Sequence, residues 1–173
     1  MFKEFKNFEE GFTCFFIYLL LDKILNISIG IWLQVFSITV HDNGMKGILL
    51  TKFEAEPFYV LKLILIFAFV EEVTYRLFPA LIILICLKTF PFLEKEKEEL
   101  MLLTLLISSA IFGYDHGDYT NMLIQGVSGI LFFTFFCRSG GFTSGKLLVS
   151  LASVTLLHFS TNALTLGILS LKS

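Results

Sequence analysis

Charge is what this chain has least of. Charged residues make up 16% of its 173 positions against 55% apolar ones, and the net charge at pH 7 is −2. So small and slightly negative a charge argues against a nucleic-acid-binding surface, which needs a patch of Lys and Arg. Cysteine is also sparse. Cys14, Cys86 and Cys137 stand far apart, each within or beside an apolar run. They have neither disulfide-framework nor metal-site spacing and read as packing residues. No internal repeat and no low-complexity tract occurs. Met1 to Gly11 carries two lysines and three glutamates, with no small-residue cleavage site after it, so no secretory signal is expected there.

What the chain has in excess is apolar sequence in long runs, at about 11–40, 57–88, 99–114, 120–137 and 145–170. Repeated runs of this length suit a lipid bilayer better than the core of a soluble domain. The expected fold is therefore all-α: a polytopic transmembrane helix bundle with about five to six membrane helices. It would form a single integral-membrane domain over residues 1–173, multi-pass in the cell membrane, with the bilayer itself as a partner. Asp22-Lys23 divides the first run. Its first half alone is too short to cross about 30 Å of hydrocarbon, so one helix with an internal ion pair is favoured over two. Pro79 is expected to kink the second run.

The connections carry turn chemistry and charge. Residues 41–56, opening on His41-Asp42-Asn43-Gly44, read as a loop with a solvated histidine. Glu94 to Glu99 reads as a solvated charge run. Asp115-His116-Gly117-Asp118 and Arg138-Ser139-Gly140-Gly141 join the last three runs. Lysines and arginines at 88–97 and 138–146 fall on one side of the membrane by helix counting, and Lys46, Lys52 and Lys172 on the other. The positive-inside rule places the first group in the cytoplasm by a small margin.

A few polar residues do not belong in such runs. Glu71 and Glu72 sit side by side in an apolar stretch, with Arg76 four residues after Glu72. Residues i and i+4 share a helix face, so Glu72 and Arg76 can pair, while Glu71 points about 100° away without that partner. His116 stands at the end of the third run, and His158 and Asn162 share a face of the last. Each alone could be interhelical glue. Together, a carboxylate, two imidazoles and an amide are what water-mediated peptide hydrolysis requires: a base for water, an oxyanion donor and a group to orient or protonate. The same set could bind a divalent metal such as zinc.

Glu71-Glu72-x-x-x-Arg76, then Phe112-x-x-x-His116, then His158-x-x-x-Asn162, in that order on successive apolar runs, resembles the CPBP family. These are the CAAX-protease-like and bacteriocin-processing intramembrane proteases, also called Abi or Rce1-like. The resemblance covers about residues 57–170, the family-like catalytic core. It implies that Glu71 is the general base, that Glu72 and Arg76 form a supporting pair, and that His116 assists the base or contacts the water. His158 and Asn162 would polarise the carbonyl and stabilise the oxyanion. The substrate would be a peptide or membrane protein, cleaved in peptide processing or in self-protection against a bacteriocin. Family members have been described both as metalloproteases and as metal-independent glutamate proteases. In the first case Glu71, His116 and His158 would be the metal ligands. Leu77 stands where many relatives have glycine, and the chain is shorter than the eukaryotic CAAX proteases. The family's site opens to the cytoplasm, whereas the lysine count puts the His116 turn on the other face. Two other readings keep the same residues: a non-enzymatic immunity or scaffold protein, and a proton- or metal-coupled transporter. The absence of an inverted repeat counts against the transporter.

Overall fold

In the computed structural model, residues 2–36, 38, 45–117, 119–143 and 145–171 are described. Among them the chain is all-helical, with no strand. The helices are α1 (Phe8–Val35), α2 (Met45–Ala55), α3 (Pro57–Glu72), α4 (Phe78–Thr89), α5 (Lys97–Asp115), α6 (Tyr119–Arg138) and α7 (Leu147–Ser170). A π-helical turn, Val73–Leu77, joins α3 to α4, and a 3₁₀ turn, Pro91–Glu96, precedes α5. Three helices, α1, α6 and α7, are long and apolar enough to cross a membrane.

α1 begins where Asn7 accepts the Glu10 N–H at 2.9 Å, with Glu9 and Glu10 placed against the positive end of the helix dipole. It runs unbroken through Asp22-Lys23, as expected, and 28 residues give it about 42 Å. Its outer face, including Phe12, Phe16, Leu20, Ile27 and Ile31, is exposed and apolar. Lys23 lies 3.0 Å from Asp22 and donates to Thr165 of α7 at 2.8 Å. Asn26 donates to Asp22 at 3.1 Å and to Ser128 of α6 at 3.0 Å. This polar clamp ties α1 to α6 and α7.

α6 is the centre, packed on α5, α1 and α7. Phe132, Phe133, Phe135 and Phe136 are buried there with Leu105, Leu151, Val154 and Leu157. Cys14 and Cys137 pack in or against this cluster as free thiols, in keeping with their reading as packing residues.

α5 and α6 approach closely because glycine faces glycine. A Cβ on Gly113 would come within 2.7 Å of the Gly126 nitrogen and the Met122 Cα, which are backbone atoms that cannot rotate aside. Gly113→Ala should therefore force the two helices apart, at the roughly 1–3 kcal/mol typical of overpacking. A thermal-unfolding midpoint equal to wild type would contradict this.

One expectation is corrected. Much of 41–56 is helix α2 rather than loop: Leu49 and Phe53, four residues apart, pack against Val60, Ile64 and Leu166. The turn residues at its start, His41 included, lie outside the described residues. Pro79 stands just past a disturbance of the helical ladder. It lacks an N–H, and the turn before it is π-helical, with the Phe78 N–H bonding Val73 O. The charge run is solvated as expected, with Glu94, Lys95 and Glu96 exposed and Glu94 paired to Lys97 at 3.1 Å.

The N-terminal residues strap the α6–α7 turn. The Phe5 N–H donates to Arg138 O at 2.9 Å, and the Arg138 guanidinium covers the Phe5 ring. Glu4 accepts from the Lys146 ammonium at 2.6 Å and from the Thr143 hydroxyl. The Lys146 contact, then that of Thr143, holds the Glu4 carboxyl below its ordinary 4.5 against the opposing effect of desolvation. A depressed carboxylate stabilises the fold above its unfolded pKa, and that contribution is lost as pH falls through the native value. For so exposed a pair it amounts to about 1 kcal/mol at most. Proteolytic nicking within residues 2–6 should thus accelerate below pH 4.5, and Glu4→Gln should remove the pH dependence. An equal acceleration in that variant would contradict the strap.

Candidate active site

The acidic pair Glu71-Glu72 closes α3, immediately before the π-turn. Glu72 is fully buried and Arg76 is 1% exposed, one turn on. Arg76 Nε lies 3.2 Å from Glu72 Oε2, an ion contact without hydrogen-bond alignment. The guanidinium is compensated from other sides. Its Cζ stands 4.5 Å above the Phe112 ring, and Nη2 donates to Gly129 O at 3.3 Å. Glu72 and Arg76 therefore pair as expected. They do more than support one helix, because they also join α3 to α5 and α6.

The other oxygen of Glu72 binds His158 of α7, whose Nδ1 lies 2.8 Å from Glu72 Oε1. A carboxylate paired to arginine accepts, so His158 Nδ1 carries a proton and Nε2 is turned outward. The imidazole stacks on Phe132 at 4.6 Å and meets the edge of Phe112 at 5.7 Å. With 3% of its side chain exposed, His158 is fixed in position by a chain of buried groups.

Glu71 is different. Its side chain is 29% exposed and lies 3.4 Å from His158 Nε2 through Oε2 and 3.8 Å from His116 Nε2 through Oε1. His116 caps the end of α5, and its Nδ1 lies 2.7 Å from Phe112 O. A carbonyl only accepts, so the Nδ1 proton is donated there and Nε2 faces Glu71. Three residues from three separate runs thus converge. One carboxylate is reachable from outside, between two imidazoles of fixed orientation.

Asn162 does not join this network. It is exposed on α7, and among the described residues it makes no hydrogen bond. Tyr75 and Asp115 went unnoticed in the sequence as site residues. The Tyr75 hydroxyl donates to the Asp115 carboxylate directly beside Glu71 and His116. The signals were the i+4 spacing of Tyr75 from Glu71 and the adjacency of Asp115 to His116. Phe132, the stacking platform for His158, had no signal among so many phenylalanines.

The metal question has a geometric answer within this set. The two imidazoles approach different oxygens of Glu71, and Glu72 is committed to His158 and Arg76. Among the described residues no three His, Cys, Asp or Glu side chains form a group that would hold a metal ion. No family model, no curated protein and no solved structure matches this chain, and the resemblance to the CPBP family rests on its three motifs.

Proposed function

We propose that this chain is an intramembrane endopeptidase that hydrolyses a peptide bond of a membrane-associated peptide or protein, with Glu71 as the base. One observation carries the reading. Glu71 is an accessible carboxylate 3.4 Å from an imidazole nitrogen that is itself mounted on a buried His158–Glu72–Arg76 chain. Polar glue has no need of an accessible carboxylate beside two oriented imidazoles.

The chemistry follows from the donors and acceptors. A water between Glu71 and His116 donates one proton to each acceptor, leaving its lone pair free. Glu71 takes a proton as the water oxygen bonds the substrate carbonyl carbon. The developing oxyanion faces His158 Nε2, and this role requires a proton on that nitrogen while Nδ1–H stays bonded to Glu72. Glu71 then returns its proton to the amine nitrogen as the carbon–nitrogen bond breaks. Asn162, exposed one turn beyond His158, is assigned an oxyanion or substrate contact made only when substrate is bound.

The membrane reading extends to five spans. Pro57–Thr89 is one continuous helical run across the π-turn, long enough to span although α3 and α4 separately are not. α5 has the length as well, with Lys97, Glu98, Glu99 and Asp115 at its ends where headgroups would lie. The protein is then multi-pass in the cell membrane and acts in peptide processing or bacteriocin self-immunity. The test is cleavage of a randomised quenched-fluorescent peptide pool by the full chain in liposomes, with and without prolonged chelation. Cleavage is expected and should survive chelation. Activity restored only by zinc or another divalent ion would contradict the glutamate-base mechanism.

A further inference from the structure

The hydrogen bonds that orient His116 all come from its own helix. His116 is the cap residue of α5, and Gly117 follows with φ 157°, so no further helical turn braces it. Its own bonds run back into α5: the backbone N–H to Gly113 O at 3.2 Å and Nδ1–H to Phe112 O at 2.7 Å. These fix the ring relative to the helix end but not relative to Glu71, which belongs to α3. The ring contacts of Phe112 with Tyr75, at 5.3 Å, and with Arg76 set a distance between the two elements. Contacts of this kind are not directional and do not by themselves set where the His116 ring stands against Glu71.

One directional bond does cross that gap near the ring. Tyr75 lies four residues after Glu71, within the π-turn, and its hydroxyl donates to the carboxylate of Asp115, the residue before His116. Each partner is therefore next to one half of the site: Tyr75 below Glu71 on the same helical run, Asp115 joined directly to His116. We propose that Tyr75 and Asp115 are positioning residues that lock the end of α5 to the π-turn and so hold His116 Nε2 against Glu71. What His116 then does to water rests on the hydrolytic reading above; the positioning itself does not.

Diethyl pyrocarbonate tests this on the full chain in detergent micelles. It acylates accessible imidazole nitrogens, and mass spectrometry reads the rate at each histidine. In wild type, His116 should react slowly for a partly exposed ring because Nε2 faces Glu71. Tyr75→Phe removes the donor and should raise the His116 rate several-fold while His158 stays slow. Asp115→Ala should do the same. Asp115→Asn, whose amide oxygen still accepts from the phenol, should restore the wild-type rate. An unchanged His116 rate in Tyr75→Phe overturns the inference. So does a parallel rise at His116 and His158, which marks general loosening. In the cleavage assay, Tyr75→Phe should cost nothing further once His116→Gln is present, since a residue acting through another is not additive with it. The two ideas fail separately. Full cleavage by Glu71→Gln sinks the hydrolytic reading, and an unchanged His116 modification rate sinks the positioning one.

Discussion

Glu71→Gln should lower peptide cleavage by about 10²–10⁴-fold, the usual cost of losing a positioned base, while the protein stays folded. The second half of that expectation comes from the contacts. Glu71 is partly exposed, and its approaches of 3.4 and 3.8 Å to the imidazoles are too long for hydrogen bonds that the fold depends on. An isosteric amide fits the same space. His158→Ala is a poorer test of chemistry, although it too should abolish cleavage. It empties the stacking place on Phe132 and leaves fully buried Glu72 with Arg76 as its one partner. Loss of activity in that variant would therefore be mixed with loss of structure. A Glu71→Gln protein that confers the full cellular phenotype would favour the non-enzymatic immunity or scaffold reading, which needs the fold and not the base.

Arg76→Ala should act on stability first. The pair it breaks is entirely buried, and removing one partner leaves an uncompensated charge at roughly 3–5 kcal/mol. Here the loss spreads further, because the same guanidinium meets Phe112 of α5 and the Gly129 carbonyl of α6. Less folded protein in the membrane and a lower unfolding midpoint are expected, beyond any effect on cleavage. Wild-type expression and an unchanged midpoint would show that Glu72 needs no counter-charge, contrary to the geometry.

The fold was legible where one residue decides the outcome. The first run is a single helix, as the length of its leading half suggested, and Asp22-Lys23 is absorbed by a side-chain clamp that the sequence only hinted at. Helix α2 was hidden by its polar opening: Leu49 and Phe53 form too short an apolar pattern until the packing partners Val60 and Leu166 are known. The π-turn was equally hidden, since Pro79 announces a disturbed helix without saying which kind.

In the site, the i+4 spacing foretold the Glu72–Arg76 pair, and separate apolar runs foretold three converging side chains. Spacing could not reveal that Glu72 serves His158 as well as Arg76. That bond joins residues 86 apart in sequence and depends on how α7 packs. Nor could it place Asn162, which shares a helix face with His158 in the sequence but lies exposed and outside the network.

The central claim is that Glu71 makes water the nucleophile. The most direct test is cleavage in ¹⁸O-labelled water by the full chain in liposomes, with product termini read by mass spectrometry. The expected result is ¹⁸O in the new carboxylate of each cleaved peptide, appearing about 10²–10⁴-fold more slowly with Glu71→Gln. New termini without the label, or labelled products at the wild-type rate from Glu71→Gln, would contradict it.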